Sequence, residues 1–311
     1  MRRVALAAVL AASAAAVAGA VSAANAAPPG DAALLRRHLP VLVLHPGERF
    51  PPVAVDAFLA ASDPLVRRPD GTFSPAVPGE APTRLDVRGC TPELGPAQAE
   101  CYLPLVGGPP TVYGAVHRRG ARIVVQYWLF APYNLWSPVV PAAGDAWQAH
   151  EGDWEHIAVV LDAGGRPLHV GYAQHCGGAR VRWADVPTQR GTARPVVYLG
   201  LGSHASYPRP GVHATDPRCW RDPKVIVPIF TALGYRLVDH AGGGRRIVSP
   251  RLVRLTSTSP AWATFAGTWG EDRFVRLGEV TLRDGTGPTG PAHKSAWRNP
   301  VGAVASWPLA R

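Results

Sequence analysis

The sequence predicts a mainly β protein: a β-sandwich with long ordered loops and a few short helices. Hydrophobic residues make up 47% of the 311-residue chain and charged residues 17%, as in a globular protein with a large core. The 33 prolines and 33 glycines leave few stretches long enough for helices. The apolar segments are short, rich in β-branched and aromatic residues, and bounded by Gly, Pro or Asp.

The chain begins with a segment typical of a secretory signal peptide. A charged start, Met1 to Arg3, precedes an Ala/Val/Leu-rich run, and Ala24-Asn25-Ala26 fits a cleavage site. We therefore expect residues 1–26 to be removed and the protein to be secreted. An uncleaved membrane anchor is the alternative, because the run is just long enough to span a bilayer. No later segment of the sequence is apolar for long enough to do so.

The rest of the chain is predicted to contain several strands and little helix. Helices are expected over residues 32–39, 53–61 and 223–234. The predicted strands cover residues 41–47, 121–130, 156–162, 166–175, 194–204, 245–255 and 273–282. Asp162-Ala163-Gly164-Gly165 predicts a hairpin turn between two of them. Residues 63–119, rich in Pro and Gly, predict an irregular insertion within a single domain that spans residues 27–311.

Four cysteines, Cys90, Cys101, Cys176 and Cys219, indicate two disulfides, because an even number in an exported chain favours pairing. Of the three pairings, we favour Cys90 with Cys101, which closes one loop, and Cys176 with Cys219, which ties two separate segments together. A zinc site is the alternative, but the cysteines are scattered and no C-x-x-C spacing is present.

The net charge of the chain is strongly positive, at +10, and about +8 without the two arginines of the signal segment. Apart from Lys224 and Lys294, the basic residues are arginines, and they occur singly or in pairs. A nucleic-acid-binding tract is therefore not predicted. The simpler interpretation is a solvated basic surface, and the functional one is a mild attraction to anionic lipid head groups or acidic glycans.

Residues 150–156, HEGDWEH, concentrate ionisable side chains at the start of a predicted buried strand. In an extended segment, Asp153 and Glu155 share a face with alternate apolar residues of the following run. Two buried carboxylates repel each other and lose hydration, so they need a cation, an arginine or a shared proton. His150 can join them across Gly152. The pattern predicts a divalent cation, Mg²⁺ or Ca²⁺ before Mn²⁺ or Zn²⁺, and a buried arginine–carboxylate network is an equal alternative.

Two segments are similar to known catalytic motifs but do not match them. The heptapeptide departs from the zinc motif H-E-x-x-H at Trp154. GLGSHAS, residues 200–206, departs from G-x-S-x-G at Leu201 and Ala205. Ser203 is therefore expected to be a turn residue rather than a nucleophile.

Six segments of the chain carry a family resemblance. They are HPGERFPPVAVDAFL (45–59), YWLFAPYN (127–134), HEGDWEHIAVVL (150–161), YAQHCGG (172–178), PVVYLGLGSHASYP (195–208) and GPAHKSAWRNP (290–300). Together, and in this order, they resemble the family named after vacuolar protein sorting-associated protein 62. The members of that family share no agreed biochemical activity, so the resemblance implies a fold rather than a function.

The D-W-E core of the heptapeptide also resembles the G-H-R-H-D-W-E motif of secreted necrosis-inducing cytolysins. Those proteins are β-sandwiches that hold a divalent cation and bind sphingolipid head groups. On this alignment the metal-contacting positions fall on His150, Asp153 and Glu155, whereas the arginine and second histidine of the motif fall on Glu151 and Gly152. The resemblance implies a cation site at one end of a β-sandwich, without support for cytolytic activity.

Three further residues are candidates for the same pocket. His175 and His204 each end a predicted strand, and either can join His150 around a ligand, although such histidines are more often only hydrogen-bonded. Asp145 is the counterpart, at a different spacing, of an acidic residue that the cytolysins use upstream of their motif. The resemblance therefore makes Asp145 a fourth candidate ligand of the cation.

The sequence leaves three classes of function open. The first is a secreted, cation-dependent module that binds a membrane lipid head group or a glycan, with Trp136 and Trp147 as candidate exposed aromatics. The second is a secreted metal-dependent hydrolase of phosphodiesters, glycosides or esters, with His156, His175 and His204 as candidate acids or bases. The third is a structural surface protein whose polar cluster only stabilises the fold. Nothing in the sequence indicates an oligomeric state.

Overall fold

The computed structural model describes residues 29–91, 99–136, 149–219, 228, 231–232, 234, 237–271, 273–277 and 280–310. Within them the fold is mainly β, as predicted, with several sheets and a few short helices. The expected signal segment and most of the predicted helix 223–234 lie outside the described residues. None of the helices in the described ranges is long and apolar enough to cross a membrane.

A six-stranded sheet lies at the centre of the molecule. Its strands are β5 (Thr111–Arg119), β6 (Arg122–Asn134), β7 (His150–Asp162), β8 (Pro167–Gln174), β9 (Gly177–Arg182) and β15 (Arg251–Arg254). They are arranged in the order β15-β5-β6-β7-β8-β9, and only the β15–β5 pair is parallel. β6 and β7 are each 13 residues long and buried almost throughout, because both faces of the sheet are covered.

Two four-stranded sheets cover these faces. One consists of β2 (Ser62–Arg67), β3 (Phe73–Pro75), β4 (Arg84–Val87) and β16 (Thr268–Trp269), in the order β16-β4-β2-β3. The other consists of β1 (Val41–Val43), β10 (Val196–Leu199), β11 (Ser206–Tyr207) and β14 (Arg246–Ile247), in the order β11-β10-β1-β14. Two strand pairs complete the β structure: β12 (Gly211–Ala214) with β13 (Val238–Ala241), and β17 (Arg273–Leu277) with β18 (Val280–Gly285).

The helices of the described ranges are short. They are α1 (Asp31–Arg37), α2 (Asp56–Ala61), α3 (Ser295–Arg298) and α4 (Pro300–Ser306). Single 3₁₀ turns occur at Glu100–Leu105, Trp183–Asp185, Pro217–Cys219, Ala261–Thr264 and Pro291–His293. α1 begins one residue before the predicted range 32–39 and otherwise lies within it. α2 lies within the predicted range 53–61. The side chain of Asn299 caps α4 by accepting from the Gly302 amide, and Pro300 fits the first helical position.

The central sheet separates two hydrophobic cores, because successive side chains of a strand point to opposite faces. The core on the β4 side is aromatic and includes Tyr113, Trp128, Phe130, Trp154 and Trp269. The core on the β10 side is largely aliphatic and includes Leu42, Leu129, Ile157, Val159 and Val197. The three residues of β7 that follow Glu155 at alternate positions lie in the second core, so the predicted alternation of the strand is confirmed.

Residues 63–91 and 99–119, the described part of the predicted insertion, contain regular strands and are not irregular. They include β3, β4, β5 and nearly all of β2. β5 lies inside the central sheet. Gly71, Gly79 and Gly89, all with positive φ, lie in the connections that follow β2, β3 and β4. Some of the glycines that led to the prediction of irregular structure therefore lie in the turns between short strands.

Both favoured disulfides are present, Cys90–Cys101 and Cys176–Cys219, and no described cysteine is free. The second ties the residues after β8 to the 3₁₀ turn at Pro217–Cys219. The predicted hairpin turn at residues 162–165 is also confirmed, since it joins β7 to β8 with Gly165 at a φ of 83°.

Gly152 changes the direction in which β7 presents its acidic side chains. Its φ is +57°, and a Cβ atom added there would lie 2.5 Å from the carbonyl oxygen of Trp269. Glu151 reaches the backbone of β4 on one side of the sheet, whereas Asp153 contacts the turn after β10 on the other. The left-handed glycine therefore sends two carboxylates that would otherwise share a face to opposite faces.

The substitution Gly152→Ala is expected to lower the free energy of unfolding by about 3 kcal/mol or more, because backbone strain adds to a steric clash with Trp269. Urea denaturation measures the loss. Gly120→Ala is the matched control: its φ is +54°, but no atom lies within 4 Å of the added Cβ. It should cost only about 1–2 kcal/mol, and equal losses in the two variants would contradict the proposed role of Gly152.

Candidate functional site

An imidazole held between two carboxylates forms the centre of the candidate site. His204 donates from Nδ1 to Oδ2 of Asp153 at 2.8 Å, and its Nε2 lies 3.5 Å from Oε1 of Glu48. The three side chains are 9% exposed or less. Glu48 also accepts from the backbone amides of Phe50 and Gly202, both at 2.8 Å. The trio therefore connects β7, the turn after β10 and the segment after β1.

Burial and charge act against each other in this trio. Burial lowers the pKa of His204, but Glu48 and Asp153 outweigh it and raise that pKa to about 10. Burial likewise opposes ionisation of the two carboxyl groups, yet His204 lowers the pKa of both Asp153 and Glu48. The trio is therefore ionised at neutral pH, with His204 as its cation.

A second imidazole–carboxylate pair is centred on Asp239, which is fully buried. Asp239 accepts from Nε2 of His175 at 2.8 Å, from the hydroxyl of Ser203 at 2.7 Å and from the hydroxyl of Tyr207. Burial lowers the pKa of His175, but the charge of Asp239 outweighs it and the net shift is upward. The Ser203 hydroxyl is directed at a carboxylate, so Ser203 is not paired with a general base as a nucleophile would be.

His175 and His204 share a backbone conformation that is uncommon outside glycine. Their φ values are 52° and 53°, and no other non-glycine residue in the described ranges has a positive φ. This conformation costs about 1–2 kcal/mol for a residue with a Cβ atom. Strain of this kind persists only where the surroundings enforce it, and it concentrates at binding and catalytic sites.

Glu155 is the buried carboxylate of the cluster that lacks a hydrogen-bond partner among the described residues. It is 8% exposed, and burial together with the charge of Asp153 raises its pKa to about 8. The positive charges of Lys294, His175 and His204 oppose this rise. Its oxygens are therefore free to contact a ligand or an ion.

His150 is oriented so that one ring nitrogen stays open. Its Nδ1 lies 2.8 Å from the carbonyl oxygen of Gly152, so Nδ1 must carry the proton because a carbonyl only accepts. That tautomer leaves the lone pair of Nε2 for an ion, as in metal-binding histidines. Burial lowers the pKa of His150, which favours the neutral form that binds metals.

The donor atoms fit a hard divalent cation in kind, because the carboxylates of Asp153 and Glu155 and the imidazole of His150 are suitable ligands. Within the described ranges, however, no three His, Cys, Asp or Glu side chains form a group that could hold a metal ion. Asp145 and Trp147 lie outside the described residues. The cation therefore stays a prediction.

The alternative of an arginine network does not describe the heptapeptide. Asp153 pairs with His204, and the nearby Lys294 donates from Nζ to the carbonyl oxygen of Trp154 at 2.6 Å. In the described structure, no arginine forms an ion pair with Asp153 or Glu155. The positive charges that balance the cluster come from histidine and lysine instead.

Glu151 belongs to the fold and not to the cluster. The hydroxyl of Tyr102 donates to its Oε1 at 2.8 Å, and the amides of Val87 and Glu271 donate to its Oε2 at 3.3 and 3.1 Å. Burial raises the pKa of Glu151 to about 8, and the three donors oppose that rise because they favour the anion. Glu151 thereby joins β7 to β4 on the aromatic side of the sheet.

Two sequence candidates are core residues. Trp136 is 2% exposed, with the edge of its ring against His175 at a centroid distance of 5.7 Å, so the expectation of an exposed aromatic is wrong. His156 stacks on Trp128 at 4.3 Å, and burial lowers its pKa to about 3. It projects to the opposite face from Glu155, which removes it from the site.

Three residues of the site were not among the sequence candidates: Glu48, Asp239 and Lys294. Glu48 and Lys294 lie in segments 45–59 and 290–300, which carry the family resemblance. The resemblance could therefore have pointed to both residues. Asp239 lies in β13, a four-residue strand outside every recognisable motif. Only the folded structure brings it to His175.

The fold and the site define a β-rich protein with a buried imidazole–carboxylate cluster at one end of its central sheet. The chain belongs to the vacuolar protein sorting-associated protein 62 family, whose model matches residues 119–276. The matched region contains the heptapeptide, His175, His204 and Asp239.

Two curated relatives come from Saccharomyces cerevisiae. Vacuolar protein sorting-associated protein 62 is 25% identical over 187 residues, which cover 53% of this chain and 38% of the relative. Putative vacuolar protein sorting-associated protein TDA6 is 25% identical over 235 residues, which cover 64% of this chain and 47% of the relative. The chain therefore spans less than half the length of these relatives.

The similar solved structures are necrosis-inducing proteins, the second class that the heptapeptide resembles. NLPPya in complex with glucosamine has a TM-score of 0.44 at 14% identity, and NLPPya in complex with mannosamine has 0.41 at 15%; each alignment covers 90% of this chain and 92% of the other. Necrosis and Ethylene inducing Protein 2 has a TM-score of 0.32 at 15% identity, with coverages of 73% and 75%. These TM-scores carry no information about the ligand of this chain.

The substitution Tyr102→Phe is expected to lower the free energy of unfolding by about 1–3 kcal/mol, because it leaves Oε1 of Glu151 buried without its donor. Tyr172→Phe is the matched control, since Tyr172 is equally buried but its hydroxyl has no partner in the described structure. That variant should be neutral or slightly stabilising. Chemical denaturation measures both, and similar losses would show that the Tyr102–Glu151 bond does not support the fold.

Proposed function

We propose that the protein is a secreted module that binds a hydroxyl-rich head group, of a glycan or a membrane lipid, through a divalent cation held by His150, Asp153 and Glu155. The observation that carries the proposal is Glu155, a buried carboxylate without a hydrogen-bond partner among the described residues. Burying such a group is costly unless something satisfies it. A ligand or ion that contacts the oxygens of Glu155 would explain why this carboxylate is buried.

The groups around Glu155 support a binding site rather than a purely structural cluster. Glu48 and Asp239 have their oxygens occupied by donors, so they orient the histidines and leave the ligand contacts to others. His204 takes one oxygen of Asp153, and the Gly152 carbonyl fixes the ring of His150. When bound, a hard cation would offer coordination positions to the hydroxyl oxygens of a head group.

The expected location of this binding is outside the cell. Two disulfides are typical of proteins that fold in an oxidising compartment, and the leader-like segment over residues 1–26 has the composition of an export signal. Glycans and lipid head groups are abundant on the surfaces that an exported protein meets. Secretion is therefore part of the same proposal.

Chelation is expected to lower the melting temperature of the purified protein, because a bound ion stabilises the folded state by RT ln(1 + [L]/Kd), about 2.7 kcal/mol at a hundredfold excess over Kd. Asp153→Asn should abolish the response and also lower the starting melting temperature, because the amide keeps the shape of the side chain but loses the charge that holds the ion and pairs with His204. Differential scanning calorimetry with and without chelator measures both. A melting temperature that does not change with chelator or with added Mg²⁺, Ca²⁺, Mn²⁺ and Zn²⁺ would refute the proposed cation site.

Glu155→Gln is expected to weaken binding to glycan arrays or lipid vesicles at least tenfold, because the amide cannot supply the charge that holds the ion. Glu80→Gln is the control, since it removes a carboxylate from an ion pair with Arg68 outside the cluster. Free saccharides and vesicles, tested separately with and without chelator, distinguish a glycan from a lipid head group. Unchanged binding by Glu155→Gln would exclude Glu155 from the site.

Hydrolysis is the second candidate function, and the His175–Asp239 pair favours it. Asp239 orients His175 as carboxylates orient general bases in hydrolases, whereas His204 is held as a cation between two carboxylates. In the binding assays, conversion of the bound head group to products would identify this function. Retention of the intact ligand would support the binding module.

A further inference from the structure

A separate, shallow and widely open cavity of about 520 Å³ lies beside the 3₁₀ turn that follows β9. Its lining includes Arg37, Trp183, Thr188, Thr192 and Ala193. None of its lining residues belongs to the imidazole–carboxylate cluster, so the cavity is a distinct feature of the surface. Its volume lies in the range of small-molecule binding sites, about 300–1,000 Å³.

The wall formed by residues 187–196 is held by backbone hydrogen bonds. The amide of Val196 donates to Pro187 at 2.7 Å, and the amide of Gln189 donates to Arg194 at 2.9 Å. Arg194 also donates from Nε to the carbonyl of Leu39 at 2.6 Å, which fixes the wall to the segment after α1. The cavity is therefore preformed, and a ligand would lose little free energy in ordering it.

Trp183 supplies an aromatic surface in this cavity. Its indole is half-buried, and the ring of His38 meets it edge-on at a centroid distance of 5.8 Å. His38 is fully buried, with Nδ1 3.0 Å from the carbonyl oxygen of Ala193. The indole is thus held from behind while part of it faces solvent.

The polar groups around the indole are open to a ligand. Arg37 is exposed at the end of α1, and its guanidinium has no hydrogen-bond or ion-pair partner among the described residues. Thr188 adds an exposed hydroxyl group to the lining, whereas the hydroxyl of Thr192 already donates to the carbonyl oxygen of Gln189 at 2.8 Å.

We propose that this cavity binds an acidic saccharide, with a pyranose ring on Trp183 and a carboxylate or sulfate group on Arg37. The C–H groups of a pyranose carry partial positive charge and match the negative face of an indole ring. A guanidinium forms paired hydrogen bonds with a carboxylate or sulfate, and the hydroxyl of Thr188 matches a ring hydroxyl. The cavity lining offers one guanidinium, which suits a single negative charge better than a polyphosphate.

The test is isothermal titration calorimetry of the full chain with two disaccharides. One contains glucuronic acid and N-acetylglucosamine, and the other is the neutral cellobiose. Trp183→Ala should weaken binding of the acidic disaccharide at least tenfold. Arg37→Ala should weaken it at least fivefold without changing the weaker binding of cellobiose, and Arg36→Ala, an exposed neighbour outside the cavity, should change neither.

Two outcomes would overturn the proposal: failure of the acidic disaccharide to bind at millimolar concentration, or equal losses in Arg36→Ala and Arg37→Ala, which would indicate adsorption to a basic surface. If Trp183→Ala does not fold, Trp183→Phe keeps a smaller aromatic ring and should bind with intermediate affinity. Unchanged affinity in that variant also contradicts the proposal. A chelator should leave this binding intact, so the cavity and the proposed cation site can fail separately.

Discussion

The ion pairs of His204 with Asp153 and Glu48 join three parts of the chain that are distant in sequence. Asp153 lies on the central sheet, His204 in the turn between β10 and β11 of a covering sheet, and Glu48 in the segment after β1. Because all three charges are buried, removing one leaves its partners unpaired, at a cost of about 3–5 kcal/mol. The packing of these two sheets and the placement of the candidate ligand groups therefore depend on the same interaction.

This arrangement is costly, and the rest of the fold offsets the cost. Two histidines in left-handed conformation, several buried charges and one unpartnered carboxylate all oppose folding. The opposing gain comes from the two cores, above all from the aromatic one, where Phe130, Trp154 and Trp269 pack within about 5–6 Å of one another. Apolar residues in place of buried ion pairs often give a fold that is equally or more stable. The presence of the charged cluster therefore favours a role in binding.

The sequence predicts those features that depend on neighbours along the chain. The alternation in β7 predicted the common face of Glu155 and the aliphatic core, and the spacing of the cysteines predicted both disulfides. β5 was missed because glycine and its charged end mask the apolar pattern. The reversal at Gly152 and the burial of Trp136 depend on residues distant in sequence, as does the meeting of Asp239 with His175. No local pattern encodes such contacts.

The disulfide beside His175 has a consequence for when the site can form. Cys176 follows His175 directly, and its bridge to Cys219 closes a loop of 43 residues. In the chain-entropy model such a closure contributes about 4 kcal/mol to stability. While the two cysteines are reduced, the chain lacks this tether, and the strained position of His175 loses that stabilisation. The arrangement of the ligand groups is therefore coupled to the oxidation of a bridge that touches none of them.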